Sequence, residues 1–419
     1  MAISRELLLR FDKAQEDRIL SPHEDWLAFL KDGDWLAFLK DSDANTSFYH
    51  RQCSYCKHKN RIYGFTDGDW TLIEHDNIAR AAFHHYDDLL GMDVQRDCTL
   101  EFGDLIEPDT SLLTLDETFG EEEIWNAVKR MPMHKAPGPD DFTAEFLCAC
   151  WGCIKSDIVD VFQELYELRG RGFARLNRAL LTLIPKHADA STLRDYRPIS
   201  LIHLIEKLFA KVLSLCLAPK LDSLVSPIQS AFISGCSLHD NFVLVRKSAR
   251  LLHRLGEPCL LLKLDLANTF DSLSWPFLFE ALRHYGFGDR FLEWLVILLS
   301  STSTQVLLND DPSPAIWHRR GLRQGDPLSS QLFDLVVDTL GRLFRRATEL
   351  GILRQLHLCR SVLPISLCAN DVIVFCMRGL RTLRLYSGPW SSLGAPLGST
   401  STTTRTPPPS SAATPTRSP

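Results

Sequence analysis

The sequence predicts an α+β fold of two or three domains, opening on an acidic stretch and closing on a disordered tail. Three observations predict it. The 419 residues, 45% hydrophobic and 23% charged, suit a globular chain with a sizeable core. Helical apolar spacing prevails over 126–255, then strands and helices alternate over 256–376. After Asp371, 48 residues contain no Asp, Glu, Lys, Asn or His, and Ser, Thr, Pro, Gly and Arg dominate instead.

The elements follow in chain order. Residues 1–120 read as an acidic, partly helical connector containing a nine-residue tandem repeat, DWLAFLKDG at 25–33 and DWLAFLKDS at 34–42. One continuous helix would put Trp26 and Trp35 on opposite faces, so a break is expected at Gly33. Residues 121–258 read as mainly helical, with Leu201, Leu204, Leu208, Val212 and Leu215 on one stripe. In 259–376, CLLLKLDL (259–266) is strand-like, with Leu261, Lys263 and Asp265 on one face. Helices are expected near 275–285 and 288–300, and a hairpin from TQVLLN (304–309) and AIWHR (315–319) around DDPSP. Asp326 and Pro327 read as the N-cap and first residue of a helix reaching about residue 350. LPISLC and DVIVFC flank Ala369–Asn370, which puts Asp371 at or near a hairpin tip. Residues 377–419 read as disordered, and the abrupt loss of whole residue types suits translation in a shifted frame.

Charge is unevenly shared. Residues 1–125 hold 12 Lys+Arg against 27 Asp+Glu, a charge of −15; residues 126–419 hold 34 against 25, a charge of +9. The second part can approach a polyanion. No apolar run reaches the ~18–20 residues of a membrane span, and the N-terminus lacks a signal-peptide core. No membrane partner is therefore expected. Twelve cysteines without framework spacing read as free thiols with no disulfide partner. His50, Cys53, Cys56 and His58 are zinc-type ligands, but all four fall within nine residues, which argues against a structural site. Cys148, Cys150 and Cys153 are expected to be buried on a helix.

Three segments could carry chemistry together. KLDLANTFDSLSW (263–275) is a strand ending in an acid, and the hairpin at Asn370–Asp371 supplies a second strand-borne carboxylate. Between them in the chain, RRGLRQGDPLSS (319–330) is a glycine loop feeding a helix, suited to a phosphate or nucleotide. Two carboxylate sites and such a loop outline two-metal nucleotidyl transfer, for which Mg²⁺ is the fitting ion. The plain alternative makes these acids turn formers or caps.

In order along 120–376, the sequence resembles the reverse transcriptases of non-LTR (LINE-type) retroelements, especially plant ones. The resemblance is carried by KAPGPDDF (135–142), LTLIPK (181–186), DYRPISLI (195–202), QSAFISG (229–235), KLDLANTFD (263–271), RRGLRQGDPLSS (319–330) and CAND (368–371). DANTSFYH (43–50) is similar to the connector preceding the polymerase. The resemblance implies a partial right-hand polymerase, with fingers over 121–258 and palm over 259–376. It implies RNA template, DNA primer and dNTP as partners, and Asp265 and Asp371 as ligands of two Mg²⁺ ions. Phe270 resembles the side chain that excludes a ribose 2′-hydroxyl. Gln324 and Gly325 resemble the loop touching incoming nucleotide and template, and Lys186 and Arg197 the basic groups meeting the triphosphate.

The sequence departs from that pattern. Asn370 stands where the first aspartate of the last motif is usual, offering one neutral oxygen in place of a charge. Asn268, Thr269, Cys236 and Ser330 also depart, and neither a thumb nor an upstream endonuclease is recognisable. The expectation is therefore a catalytically impaired reverse transcriptase domain. Its alternatives are a non-enzymatic nucleic-acid-binding remnant or a decayed reading frame. No clear basic import cluster indicates the nucleus.

Overall fold

The computed structural model describes residues 51, 54–55, 58, 60–67, 70–93, 100–167, 172–226, 229, 238–256, 259–265, 269–351, 365–368, 371–377 and 401–402. The tandem repeat, three of the four zinc-type residues (His50, Cys53 and Cys56), Asn370 and most of the tail lie outside them. The chain forms two compact units. Unit 1 comprises Met1–Val94, Asp109–Lys220 and Phe270–Gln331; unit 2 comprises Gln95–Pro108, Leu221–Thr269 and Leu332–Pro419.

Unit 1 begins with a short antiparallel pair, β1 (Phe65–Asp67) and β2 (Trp70–Leu72), and helix α1 (His75–Leu90). Helix α1 buries Ile78, Ala82, Tyr86 and Leu90, a strict four-residue spacing along one face. Helices α2 (Glu121–Lys129), α3 (Ala144–Tyr166) and α4 (Phe173–Leu176) lead to strands β3 (Arg178–Pro185) and β4 (Tyr196–Ile202). After helix α5 (Leu204–Leu224), unit 1 resumes with α7 (Thr269–Ser272), α8 (Trp275–Tyr285) and α9 (Asp289–Ser300). Helix α6 (Leu238–Arg254) lies between them in the chain, in unit 2. Strands β6 (Ser303–Leu308), β7 (Asp311–Pro312) and β8 (Ile316–Trp317) complete the sheet. Its order is β4-β3-β6-β7, with β8 also on β6; β3 and β6 run parallel.

The β3–β4 hairpin corrects the expected helical reading around it. Ala179, Leu181, Thr182 and Leu183 are all buried in β3, which lies between β4 and β6. A strand buried on both faces loses its alternation and reads like a core helix. Leu201 accordingly belongs to β4, and α5 starts at Leu204, whose N–H donates to Asp140 Oδ2 at 2.7 Å. Gly138 explains the preceding motif: a Cβ there would collide with the Ile202 carbonyl.

One core cluster sets α1, β1 and β2 against β3, β4, β6 and β8 through Phe65, Ile78, Tyr86, Leu181, Leu183, Tyr196, Val306 and Ile316. A second is aromatic. Phe119 lies 4.7 Å from Trp294 and 5.7 Å from Phe209, centroid to centroid. Trp294 donates its indole N–H to Leu165 O at 3.1 Å, so the buried ring leaves no donor unpaired. Asp116 caps α9, accepting from Phe291 N at 2.9 Å.

Two further expectations need correcting. Helix α10 (Ser329–Glu349) begins beyond Pro327, and Asp326 accepts from Leu328 N at 2.7 Å in a tight turn before it. On α3, Cys148 and Cys150 are half-buried and Cys153 is exposed, not the buried trio expected; all three are free thiols.

Unit 2 holds strands β5 (Cys259–Asp265), β9 (Ile365–Cys368), β10 (Asp371–Met377) and β11 (Ser401–Thr402), in the order β11-β5-β10-β9. Every pairing in it is antiparallel. Helix α6 lies on it through Leu252 and Phe375, with Val245, Ala249, Leu261 and Ile373 around them. Within unit 2, α10 is pinned by Arg342, which bonds Asp338 Oδ2 and the Leu224 carbonyl, both at 2.6 Å. Ser226 N donates to Asp338 Oδ1 at 2.9 Å. Among the described residues no helix is long and apolar enough to cross a membrane.

Candidate active site

The strand-borne acids meet in unit 2. Strands β5 and β10 pair in the register Asp371↔Asp265, Ile373↔Lys263 and Phe375↔Leu261. Two aspartates 106 positions apart thus become cross-strand partners, at the last residue of β5 and the first of β10. On the other edge, Asp371 pairs with Cys368, so Ala369 and Asn370 connect β9 to β10. Among the described residues no group of three or more His, Cys, Asp and Glu side chains is placed to hold a metal.

The glycine loop belongs to unit 1 and is stitched to its neighbours on several sides. Arg320 donates to Leu89 O and Asp88 O, both at 2.6 Å, satisfying carbonyls left open at the end of α1. Gly321 takes φ +82°, and a Cβ there would collide with the Asp271 carbonyl. Its N–H donates to Leu273 O, and its own carbonyl accepts the Trp275 indole N–H, both at 2.8 Å. Leu322 N donates to Phe270 O at 2.5 Å. These bonds fix the loop against the α7 segment that carries Phe270 and Asp271.

Gln324 is held at both ends. Its carbonyl accepts from Ser200 N at 2.9 Å, and its side-chain N–H donates to Asp271 Oδ2 at 3.2 Å. Gly325, at φ +113°, is exposed, and any Cβ would sit 3.0 Å from Ser200 O. Burial raises the Asp271 carboxyl to about 7, with Gln324 and the Lys186 charge opposing. Beneath the loop, Arg323 donates to Glu206 Oε1 at 2.6 Å, both side chains being buried. Burial pushes Glu206 up to about 8, with Arg323 opposing.

Lys186 and Arg197 lie at the loop end of the β3–β4 hairpin, where residues 186–195 join the two strands. Arg197 pairs with Ile184, and Lys186 N donates to Asp195 O at 2.8 Å, so strand alternation puts both cations on one face. Both are exposed. Lys186 Nζ bonds the Arg194 carbonyl at 2.5 Å. Asp195 accepts from the backbone N–H and hydroxyl of Thr192 at 2.8 Å, and chiefly these bonds lower its carboxyl to about 2.

The structure thus brings Asp265 and Asp371 together in unit 2, and places Phe270, Gln324, Gly325, Lys186 and Arg197 in unit 1. Three residues that hold the glycine loop and the start of α5 in place were not singled out from sequence. Asp271 directly follows Phe270, and Asp140 lies within KAPGPDDF, so both sat in motifs already quoted. The signal for Glu206 was an acid inside the apolar run LIEKLFAKVL.

Residues 184–378 match the family described as reverse transcriptase (RNA-dependent DNA polymerase). The Transposon TX1 uncharacterized 149 kDa protein of Xenopus laevis is 32% identical over 253 residues, covering 60% of this chain and 19% of that protein. The Retrovirus-related Pol polyprotein from type-2 retrotransposable element R2DM of Drosophila melanogaster is 28% identical over 282 residues, covering 65% and 24%. The chain therefore matches a fifth to a quarter of the length of these relatives. A Candida albicans telomerase structure, in complex with a TWJ fragment of telomeric RNA, aligns at 17% identity with a TM-score of 0.39, over 58% of this chain and 47% of that one. The ordered motifs, the family match over residues 184–378 and these relatives agree in likening the chain to the reverse transcriptases of non-LTR retrotransposons.

Proposed function

We propose that this domain is built for RNA-directed DNA synthesis by two-metal nucleotidyl transfer, and that Asn370 impairs it. Residues 121–258 serve as fingers and 259–376 as palm, after an acidic connector over 1–120 and before the tail at 377–419. The observation that carries the proposal is the register Asp371↔Asp265. Directly opposed antiparallel residues have Cα atoms ~4.5–5.5 Å apart and belong to the same face of the sheet, so this pair of acids would hold the divalent ions such a reaction uses. Oxygen donors of this kind fit Mg²⁺. When bound, the ions would lower the pKa of the attacking primer hydroxyl and stabilise the leaving phosphate oxygen.

The chain's own residues have separate tasks. Asp265 and Asp371 would hold the cations. Phe270 excludes a ribose 2′-hydroxyl. Gln324, oriented by Asp271, and Gly325 meet the incoming dNTP and the template. Lys186 and Arg197 bind the triphosphate, Arg through paired N–H groups. At Asn370 one anionic arm is gone. A unit charge ~4 Å from another is worth about 4 kcal/mol at an effective dielectric near 20, and a divalent ion roughly doubles that as an upper bound. Half of the doubled figure costs about a thousandfold in rate.

Primer extension tests this, with an RNA template, DNA primer, dNTPs and Mg²⁺ or Mn²⁺. The full chain should give no measurable extension, and Asn370→Asp should raise single-nucleotide addition toward detection. Robust extension by the unaltered chain, abolished by Asp265→Ala, would overturn the impairment. No gain in the Asn370→Asp protein would remove that position from the metal site.

A further inference from the structure

We infer that the outer face of α6 is a binding surface for single-stranded nucleic acid, separate from the residues assigned to the reaction. The inner face of this helix is used: Val245, Ala249 and Leu252 pack on β5 and β10 in unit 2. The outer face carries Arg246, Lys247, Arg250, His253 and Arg254, all exposed. The helix holds one acid, Asp240 in its first turn, and none over residues 241–254, so four full positive charges against one negative leave it strongly basic. Among the described residues, none of these four cations takes part in an ion pair.

The spacing makes the charges a line. Arg246, Arg250 and Arg254 follow one another at four-residue steps, and Lys247 joins Arg250 and Arg254 at steps of three and four. From 246 to 254 the helix rises ~12 Å at ~1.5 Å per residue. A stacked strand carries one phosphate per ~3.4 Å. At most four successive phosphates fit that length, and fewer where the bases unstack.

A second feature selects the type of polyanion. One turn before Arg246, Phe242 is 62% exposed, an aromatic ring left in water on the same stripe. An exposed ring in line with cations suits unstacked bases, which it can stack against while the cations follow the backbone. A duplex offers phosphates but no free base face, and an anionic bilayer needs a broad apolar face that α6 has already spent on the sheet. The observations thus favour a single strand. This inference rests on the charge and exposure of α6 and stands independently of the reaction proposed above.

Fluorescence anisotropy with the full chain and a labelled single-stranded RNA tests it, titrated from 50 to 200 mM salt. Each cation should add about 0.7 to the slope of log affinity against log salt. The variant R246Q/K247Q/R250Q/R254Q keeps good helix formers at every position. Its slope should drop by two to three and its affinity at least tenfold, with an unchanged melting temperature. Phe242→Ala should weaken single-strand binding at least fivefold, at the low end for loss of one stacked base, and leave blunt-duplex binding unaltered. Unchanged slope and affinity in the quadruple variant would overturn the inference, as would equal losses for RNA and for vesicles of anionic phospholipid. Primer extension reads the reaction separately, so either proposal can fail without the other.

Discussion

Replacing Asp271 by Asn should remove a specific part of the pH dependence of stability. The Asp271 side chain is only 7% exposed. Burial raises its pKa from 3.8 to about 7 despite the Gln324 hydrogen bond and the Lys186 charge. Between those two values the folded chain keeps a proton that the unfolded chain has released. Stability therefore falls as pH rises from about 4 to about 7, and is level in this respect above that. At ~1.36 kcal/mol per pKa unit the whole effect is roughly 4 kcal/mol, an upper bound where water reaches the site. Asn is neutral throughout, nearly isosteric, and still offers an oxygen to the Gln324 N–H. Glu206 and Asp334, both raised to about 8, and His318, lowered to about 3, are common to both proteins and cancel in the comparison. Urea unfolding of both proteins at pH 5 and pH 8 measures the difference. On going from pH 5 to pH 8 the variant should gain about 2–3 kcal/mol relative to the unaltered chain. Parallel pH profiles would refute a buried, largely protonated Asp271 beneath Gln324.

Three further substitutions test the loop and its supports. Gly321→Ala should lower stability by at least about 2 kcal/mol in thermal unfolding, since a left-handed φ costs an L-residue ~1–2 kcal/mol before the collision with Asp271 is added. Arg323→Met should cost ~1–3 kcal/mol by leaving the buried Glu206 carboxyl without its hydrogen-bond partner, whereas Glu206→Leu with Arg323→Met should cost less; equal losses in chemical denaturation would deny the pairing. Asp116→Ala should cost ~1 kcal/mol by uncapping α9, read as a lower urea midpoint at unchanged m-value.

Elements with a polar stripe or clear turn residues at their ends were legible in the sequence, and a strand apolar on both faces without such ends was not. Helices α8 and α9 fall within a residue or two of the expected spans, because polar residues alternate with their apolar stripes. Strands β5, β9 and β10 were legible because turn residues bound short apolar runs. Strand β3 has no polar face to betray its period, so the hairpin carrying Lys186 and Arg197 was read as helix. The start of α10 was misplaced because Asp326–Pro327 has the composition of a helix start, yet Asp326 closes a turn of its own. At the candidate site, motifs singled out the residues proposed for the chemistry. The supports were harder to see, because the roles of Asp271 and Glu206 depend on contacts with residues 53 and 117 positions away.

The pairing of Asp265 with Asp371, beside an Asn where a third carboxylate would stand, is tested most directly by Mn²⁺ titration of the full chain. Electron paramagnetic resonance of the free ion can follow it in the unaltered chain and in the Asp265→Asn and Asn370→Asp proteins. The account predicts weak binding that Asp265→Asn abolishes and Asn370→Asp tightens by up to about a thousandfold. Identical Mn²⁺ affinity in all three proteins would contradict it.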